Sequence, residues 1–545
     1  MSPYLKAGAA LGALLLLPVT AAQAQEKLTL ERVFASPDLA GPQPRALKLS
    51  PDGKLVTLLK PRADEKERLD LWAIDTATGA ERMLVDSKKT GSGAELSEAE
   101  KMQRERDRSV AGSTGITSYD WSPDGKTILV PVDGDLYLAA LDGKVTRLTD
   151  TPDGELNGVV SPKGSFVSFV RGGNLFVQPM NGSEKQLTQG ASDTVSWGVS
   201  EFVAQEEMDR RTGYWWAPTD AMIAVARVDE SPVGIVTRTA IGGEGTKVYQ
   251  QRYPAAGTPN AIVDLFVMKA DGSGQVQVDL GADKNVYLAR VDWSKDGKTL
   301  YVQRESRDQQ RLDLLAVDPA TGRAKIVLTE TSKSWINLSN NFTPLRDGSF
   351  LWWSEKTGHG HLYHVRDGKW TALTSGEWEV RDIVGVDEGK GLVYFAGNRD
   401  TPLEQQLYVA SLAKAGPLKA LTAKGWWNDA VMDGDVNYMV MEYIEGETLE
   451  KSSEVDHLMP LGRIAEIVYK CCKALEYAQY QGVIHRDIKP ANIMICGDHD
   501  IKISDFGSAL IESQQTTQVS GVGSPAYMSP EQIREQALTH QTDIY

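Results

Sequence analysis

Residues 119–130 read YDWSPDGKTILV, and the pattern returns as LKLSPDGKLVTLL from Leu47, GVVSPKGSFVSFV from Gly158 and VDWSKDGKTLYV from Val291. Each copy is an alternating apolar run, a tight turn and a second alternating run, which predicts strand, turn, strand. Within the turn Pro presets φ, Asp holds the loop through its carboxylate, and Gly takes the positive φ that a Cβ resists. A second recurring element, RLTD at Arg147, KQLTQG at Lys185, TALTSG at Thr371 and KALTAKG at Lys419, falls where each group of strands ends. Recurrence every ~40 to 50 residues predicts a β-propeller, because one four-stranded blade cannot cover its own two faces. A β-sandwich is the competing arrangement.

The 545 residues, 41% of them hydrophobic, are enough for several cores. A net charge of −16 without a compensating basic run excludes a nucleic-acid backbone or an anionic membrane surface as partner. Cys471, Cys472 and Cys496 show neither disulfide nor zinc spacing and read as core thiols. At the N-terminus Lys6, the apolar run Ala7 to Leu17 and Ala22-Gln23-Ala24 have the order of a signal peptide, residues 1–24. The run is too short to span a bilayer, so a secreted or periplasmic product with no membrane span after cleavage is expected.

EFVAQEEMDRRTGYWWAP from Glu201, YPAAGTPNAIVDLFV from Tyr253, QRESRDQQRLDLLAVDPATG from Gln303 and TPLEQQLY from Thr401 together resemble the propeller of bacterial dipeptidyl peptidase IV, of the prolyl oligopeptidase family, over residues 25–427. The resemblance implies eight blades, a parent homodimer and a paired Glu on a short helix, here Glu206 and Glu207. Adjacent carboxylates in a cavity can hold a peptide's terminal ammonium through charge-assisted hydrogen bonds. Taken alone, a Glu-Glu pair is a solvated helix face. Arg106, in KMQRERDRS, takes the place of a basic residue facing a substrate carbonyl. A peptidase of this family also needs a nucleophilic serine on a G-x-S-x-G elbow with Asp and His after it. No such pentapeptide occurs in the sequence. His359, His361 and His364 lie in an alternating run and read as blade surface.

After Trp427 the character of the chain changes. All thirteen tryptophans lie at or before that residue, all three cysteines after it, and residues 428–545 carry 19 acidic against 8 basic side chains. VIHRDIKPANIMI from Val483, KISDFGSAL from Lys502, GSPAYMSPE from Gly523 and TDIY from Thr542 resemble, in order and spacing, the core of a bacterial Ser/Thr protein kinase. The resemblance makes Asp487 the base for a substrate hydroxyl and Lys489 its phosphate-steadying partner. Asn492 and Asp505 become ligands of Mg²⁺, and Met441, Glu442, Tyr443 and Met494 part of an ATP site whose hinge is VMEYIEG from Val440. The helical pattern GRIAEIVYKCCKALEYAQYQG from Gly462 places Ile464, Ile467, Val468, Cys471, Cys472 and Leu475 on one stripe.

No Gly-rich loop followed by a strand lysine precedes the hinge; GGEGTKV from Gly242 reads as a blade loop. The expected fold is therefore mostly β, an eight-bladed propeller in residues 25–427, followed by a truncated, mainly α kinase C-lobe fragment in 428–545. The expected function is a composite chain with neither catalytic apparatus complete, binding peptides with a free N-terminus. An ATP-dependent Ser/Thr kinase or nucleotide-binding remnant is the alternative.

Overall fold

The computed structural model describes residues 30, 44–62, 64–91, 93, 100–101, 113–242, 245–414, 416–422, 427–433, 436–440, 447–450, 459–480, 483–496, 500–503, 510–511, 527–533 and 540–543. The signal-peptide segment 1–24 lies outside them. The chain divides into two compact units, Met1–Met439 and Val440–Tyr545.

In the first unit seven sheets of four or five strands succeed one another, from Arg45–Leu49 in the first to Lys419–Ala420 in the last. Strands neighbouring in a sheet are neighbours in sequence, save in the first sheet, where Thr114–Gly115 pairs in parallel with Arg68–Asp75, and in the fourth. There the arm Ile235–Gly242/Gly245–Arg252 is inserted between Met222–Asp229 and Ile262–Lys269. Gly242 and Gly245 of GGEGTKV are the last pair of this arm. Against the eight blades implied by the resemblance, the described residues form seven full sheets and then a two-stranded sheet, Asp429–Asp433 with Val436–Val440.

The hydrophobic cores of this unit lie between sheets. Leu59, Leu71, Ile128 and Tyr137 join the first to the second; Leu136 and Phe169 join the second to the third. The alternation of a single strand shows the logic. Ile223 and Val225 enter the core shared with the third sheet, whereas Ala224, Ala226 and Val228 enter the one shared with the fifth. A strand buried on both faces has period two and no polar side. Tryptophans of the repeat also cross between sheets. Trp121 Nε1 donates to Thr57 Oγ1 at 2.9 Å and Trp293 Nε1 to the Trp215 carbonyl at 3.0 Å.

Both sequence repeats have a hydrogen-bond explanation. In the SPDG and SKDG turns, Ser50, Ser122 and Ser294 each donate to the Asp two residues on, at 2.8 Å, and accept a backbone N–H five residues on. These serine hydroxyls hold the Asp52 carboxyl down at about 2 and depress Asp124 and Asp296 likewise. The next residue, Gly, has φ between 67° and 71°. In SPKG, Lys163 replaces the Asp, and the neighbouring sheet supplies the missing carboxylate: Asp220 accepts from Ser161 Oγ at 2.7 Å, Lys163 N at 2.9 Å and Ser165 N at 3.2 Å. The LT repeat closes four of the seven blades. Thr149, Thr188, Thr374 and Thr422 accept, through Oγ1, the backbone N–H of Leu136, Leu175, Leu362 and Leu407 at 2.9–3.0 Å.

Residues just beyond the last sheet cover its edge. The Asn428 amide donates to the Gln405 carbonyl at 3.0 Å and to Gln406 Oε1 at 3.1 Å, and Arg381 lies 4.5 Å from the Trp427 ring centroid. Met432 fills the space beside Gly385, where a Cβ would meet its Sδ at 2.3 Å.

In the second unit the helix Leu461–Tyr480 buries Ile467, Cys471 and Leu475, a spacing of four that keeps one narrow stripe inward. Ile467 and Cys471 pack with Ile493, and Leu449, Met459, Ile495, Ile501 and Ile503 surround them. Contrary to the sequence expectation, Ile464, Val468 and Cys472 are exposed. Only one flank of the stripe meets apolar partners among the described residues. No described helix is long and apolar enough to cross a membrane.

Replacing Asp220 by Ala leaves two backbone N–H groups and a hydroxyl without their acceptor and is expected to cost about 2–3 kcal/mol in urea denaturation. Lys163→Asp in the same chain should recover part of it by restoring the local turn. Equal stability of Asp220→Ala and the parent would show that the carboxylate carries no turn.

Candidate functional site

The paired glutamates sit at the end of the short helix Phe202–Glu206, and both side chains are exposed. So short a helix is marginal by itself; its surroundings hold it. Ala204 and Met208 pack on Ala289 of the strand Val286–Trp293, with Val203, Tyr287 and Leu338 around them. Glu201, before the helix, and Arg210, after it, are 5% and 4% exposed and form an ion pair at 2.5 Å. Arg210 also donates through Nε to the Leu288 carbonyl at 2.9 Å and through Nη1 to the Thr212 carbonyl at 3.1 Å. Asp209 turns the chain with φ 49°. One guanidinium thus ties both ends of the helix to the fifth blade. Paired and hydrogen-bonded at once, it meets the conditions under which a buried charge persists.

The fifth blade carries further ionisable groups, half-buried at Arg290 and Asp292 and fully buried at Glu305. Arg290 donates through Nε to Asn340 Oδ1 at 2.7 Å, and burial lowers its pKa. Burial pushes the Asp292 carboxyl up to about 6 and the Glu305 carboxyl up to about 7, with Arg290 opposing both shifts. Glu305 is fully buried, and neither carboxylate oxygen has a hydrogen-bond partner among the described residues.

In the second unit Asp487 and Asn492 are buried and adjacent. Lys489 Nζ donates to Asp487 Oδ2 at 2.9 Å, and Asn492 Nδ2 donates to the Asp487 carbonyl at 2.8 Å and to Oδ2 at 3.2 Å. Asn492 closes the 3₁₀ turn Pro490–Asn492. The loop is braced from the far end of the chain: Asp543 accepts from the backbone N–H of His485 at 2.6 Å and of Arg486 at 2.7 Å. Gln532 Nε2 donates to the Arg486 carbonyl at 2.7 Å. Arg486 takes φ 68°, which turns the chain between the buried His485 and Asp487. Met494 lies on the strand Ile493–Cys496, between Thr448 and Lys502.

The sequence model described as the dipeptidyl peptidase IV (DPP IV) N-terminal region matches residues 155–448. The chain belongs to that family. A second match, to the protein kinase domain, covers residues 426–545 and so shares 426–448 with the first. Among curated proteins, dipeptidyl peptidase 8 of Mus musculus is 27% identical over 444 residues, 64% of this chain and 49% of its own length. A probable serine/threonine-protein kinase of Clostridium acetobutylicum is 44% identical over 119 residues, 22% of this chain and 18% of its own. The chain spans about half the length, or less, of these relatives. The crystal structure of Porphyromonas gingivalis dipeptidyl peptidase 4 matches with TM-score 0.58 at 23% identity, over 72% of this chain and 55% of that one, which shows the propeller fold. The dipeptidyl peptidase IV propeller and the kinase-like segment are thus both present in one chain.

Of the residues the sequence proposed, the structure groups Glu206 with Glu207, and Asp487 with Lys489 and Asn492. Arg106, Met441, Glu442, Tyr443 and Asp505 lie outside the described residues. His361 corrects the surface reading of the histidine run: it is 1% exposed, with Nδ1 3.1 Å from Thr374 Oγ1 and Nε2 3.0 Å from the Gly376 carbonyl. It is a blade-closing residue. Sequence reasoning missed Glu201 and Arg210, because Arg210 falls in the charged run EEMDRR and Glu201 stands alone nine residues before it. It also gave Asp543, within TDIY, no role of its own.

Because the folded Glu305 and Asp292 hold protons that the unfolded chain releases above about pH 4.5, the native state binds more protons between there and about pH 7. Propeller stability should therefore fall as pH rises through that window. Glu305→Gln should flatten the slope and gain on the order of 1–3 kcal/mol at pH 8; identical pH profiles of variant and parent would refute the assignment.

Proposed function

We propose that the propeller unit binds the free amino terminus of a peptide through Glu206 and Glu207. The observation that carries this is the fixed helix: two adjacent carboxylates on a segment anchored by the Glu201–Arg210 pair are positioned before any ligand arrives. A terminal ammonium has three donors, and two carboxylates accept them with charge assistance. Arg106 belongs to this reading as the partner of the first peptide carbonyl. With no G-x-S-x-G elbow in the sequence, the reading is binding rather than hydrolysis. Export through residues 1–24 would bring the unit to peptides outside the cytoplasm. The arm, with Ile241 and Val248 exposed, offers apolar surface for a second copy of the chain.

An unblocked peptide should bind the full chain, and its N-acetylated form should not. Glu206→Ala and Glu207→Ala should each weaken binding at least tenfold, about 1.4 kcal/mol, by calorimetry. Equal affinity for the acetylated peptide would eliminate the reading.

The Asp487–Lys489–Asn492 arrangement supports a second reading, a nucleotide-binding remnant in the second unit. Asn492 and Asp505 would offer the hard oxygen donors that Mg²⁺ takes. When bound, Mg²⁺ neutralises phosphate charge; Asp487 stands ready to accept a hydroxyl proton, and Lys489 holds its carboxylate in place. Mg²⁺-ATP should then bind the full chain and lose affinity in Asn492→Ala. No measurable binding to the parent would remove this reading.

A further inference from the structure

Between the fifth and sixth blades, under the connection 332–342 that joins them, lies a cavity of about 310 Å³. Its floor is Gln303, on the strand Leu300–Ser306, which is 2% exposed and whose side-chain amide has no hydrogen-bond partner among the described residues. Buried amides in folded chains are paired, so one left open to a cavity points to a bound group. Phe342 and Trp352 wall the cavity, and Trp335, 62% exposed, stands at its mouth.

The hydrogen bonds already made define what the cavity has left to offer. Trp352 Nε1 donates to Glu330 Oε2 at 2.8 Å, and Trp335 Nε1 to Asn337 Oδ1 at 3.2 Å, so the indoles contribute ring faces and no free donors. Glu330 and Glu355 both line the cavity. Their hydrogen-bond partners among the described residues are the neutral donors Trp352, Ser354 and Asn337, and Glu330 also feels the charge of Lys356. The single cation in the lining, Lys356, lies 3.6 Å from the Trp370 ring centroid and 4.4 Å from that of Tyr363, which take up its charge.

Two carboxylates against a single lysine, aromatic faces and an amide carbonyl form a receptor for an organic cation on an aliphatic stem. We propose that this cavity binds an arginine side chain presented by a peptide or protein. A guanidinium stacks flat on aromatic rings and is weakly hydrated. Its five donors match acceptors on Glu330, Glu355 and Gln303 Oε1, where an ammonium offers three and stacks less well.

The test is calorimetric titration of the full chain with N-acetyl-arginine amide, whose blocked amine takes Glu206 and Glu207 out of the measurement. Saturable binding is expected, at least tenfold weaker with N-acetyl-citrulline amide, which keeps the shape and loses the charge. Glu355→Gln, which retains an acceptor for Asn337, and Gln303→Leu should each weaken binding about tenfold, the loss of one hydrogen bond to a charged group. Lys356→Met should tighten it by removing the competing cation. Absence of saturable binding overturns the site. Equal affinity for citrulline overturns the cation, and unchanged affinity in Glu355→Gln and Gln303→Leu overturns the location.

Discussion

A four-stranded sheet has two apolar faces and no means of covering either by itself. Nearly everything in the first unit answers that constraint. Strands such as Met222–Asp229 alternate Ile223 and Val225 on one side with Ala224 and Ala226 on the other, each set completing a different inter-sheet core. Stability is therefore a property of successive contacts, as in other stacked architectures. Hydrogen bonds between sheets, such as Trp121 to Thr57 and Ser161 to Asp220, fix the orientation that apolar burial leaves free.

The same stacking creates the places where chemistry can sit. Where blades meet, side chains from two sheets and a connecting loop converge, and polar groups buried there must find partners or go without. The Glu201–Arg210 pair is the satisfied case, and it converts a five-residue helix into a rigid mount for Glu206 and Glu207. Glu305 is the unsatisfied one, a carboxyl with no partner among the described residues that responds by holding its proton. Gln303, two residues earlier on the same face of the same strand, faces an open cavity instead.

The second unit is organised differently. Its kinase-like loop is held by one buried carboxylate, Asp543, which gathers the backbone N–H groups of His485 and Arg486 from 58 and 57 residues away. The two family matches overlap at 426–448, and in that overlap Trp427, Asn428 and Met432 pack on the last blade. Residues that read as kinase-like in sequence are here part of the propeller's edge. Packing goes to the nearest uncovered apolar face, whatever the ancestry of the strand that covers it.

Strand-turn-strand units, the blade period, the composition break after Trp427 and the order of the kinase-like motifs were all legible in the sequence. Each is local: a turn needs Pro, Asp and Gly within four residues, and a strand needs alternation. The LT repeat was visible too, though its meaning, a threonine hydroxyl receiving the N–H of a strand's second residue, was not. Pattern alone could not supply pairings between distant residues. Lys163 in place of an Asp looks like a defective repeat until Asp220 arrives from the next blade. His361 looks like surface until Thr374 and Gly376 close around it, and Glu201 and Arg210 look solvated until they are buried together. The sequence by itself determined which elements form and in what order, because those depend on neighbours along the chain. Only the tertiary structure decided which charges are buried, which are paired and which cavity stays open, because burial depends on what the rest of the chain brings to the same place.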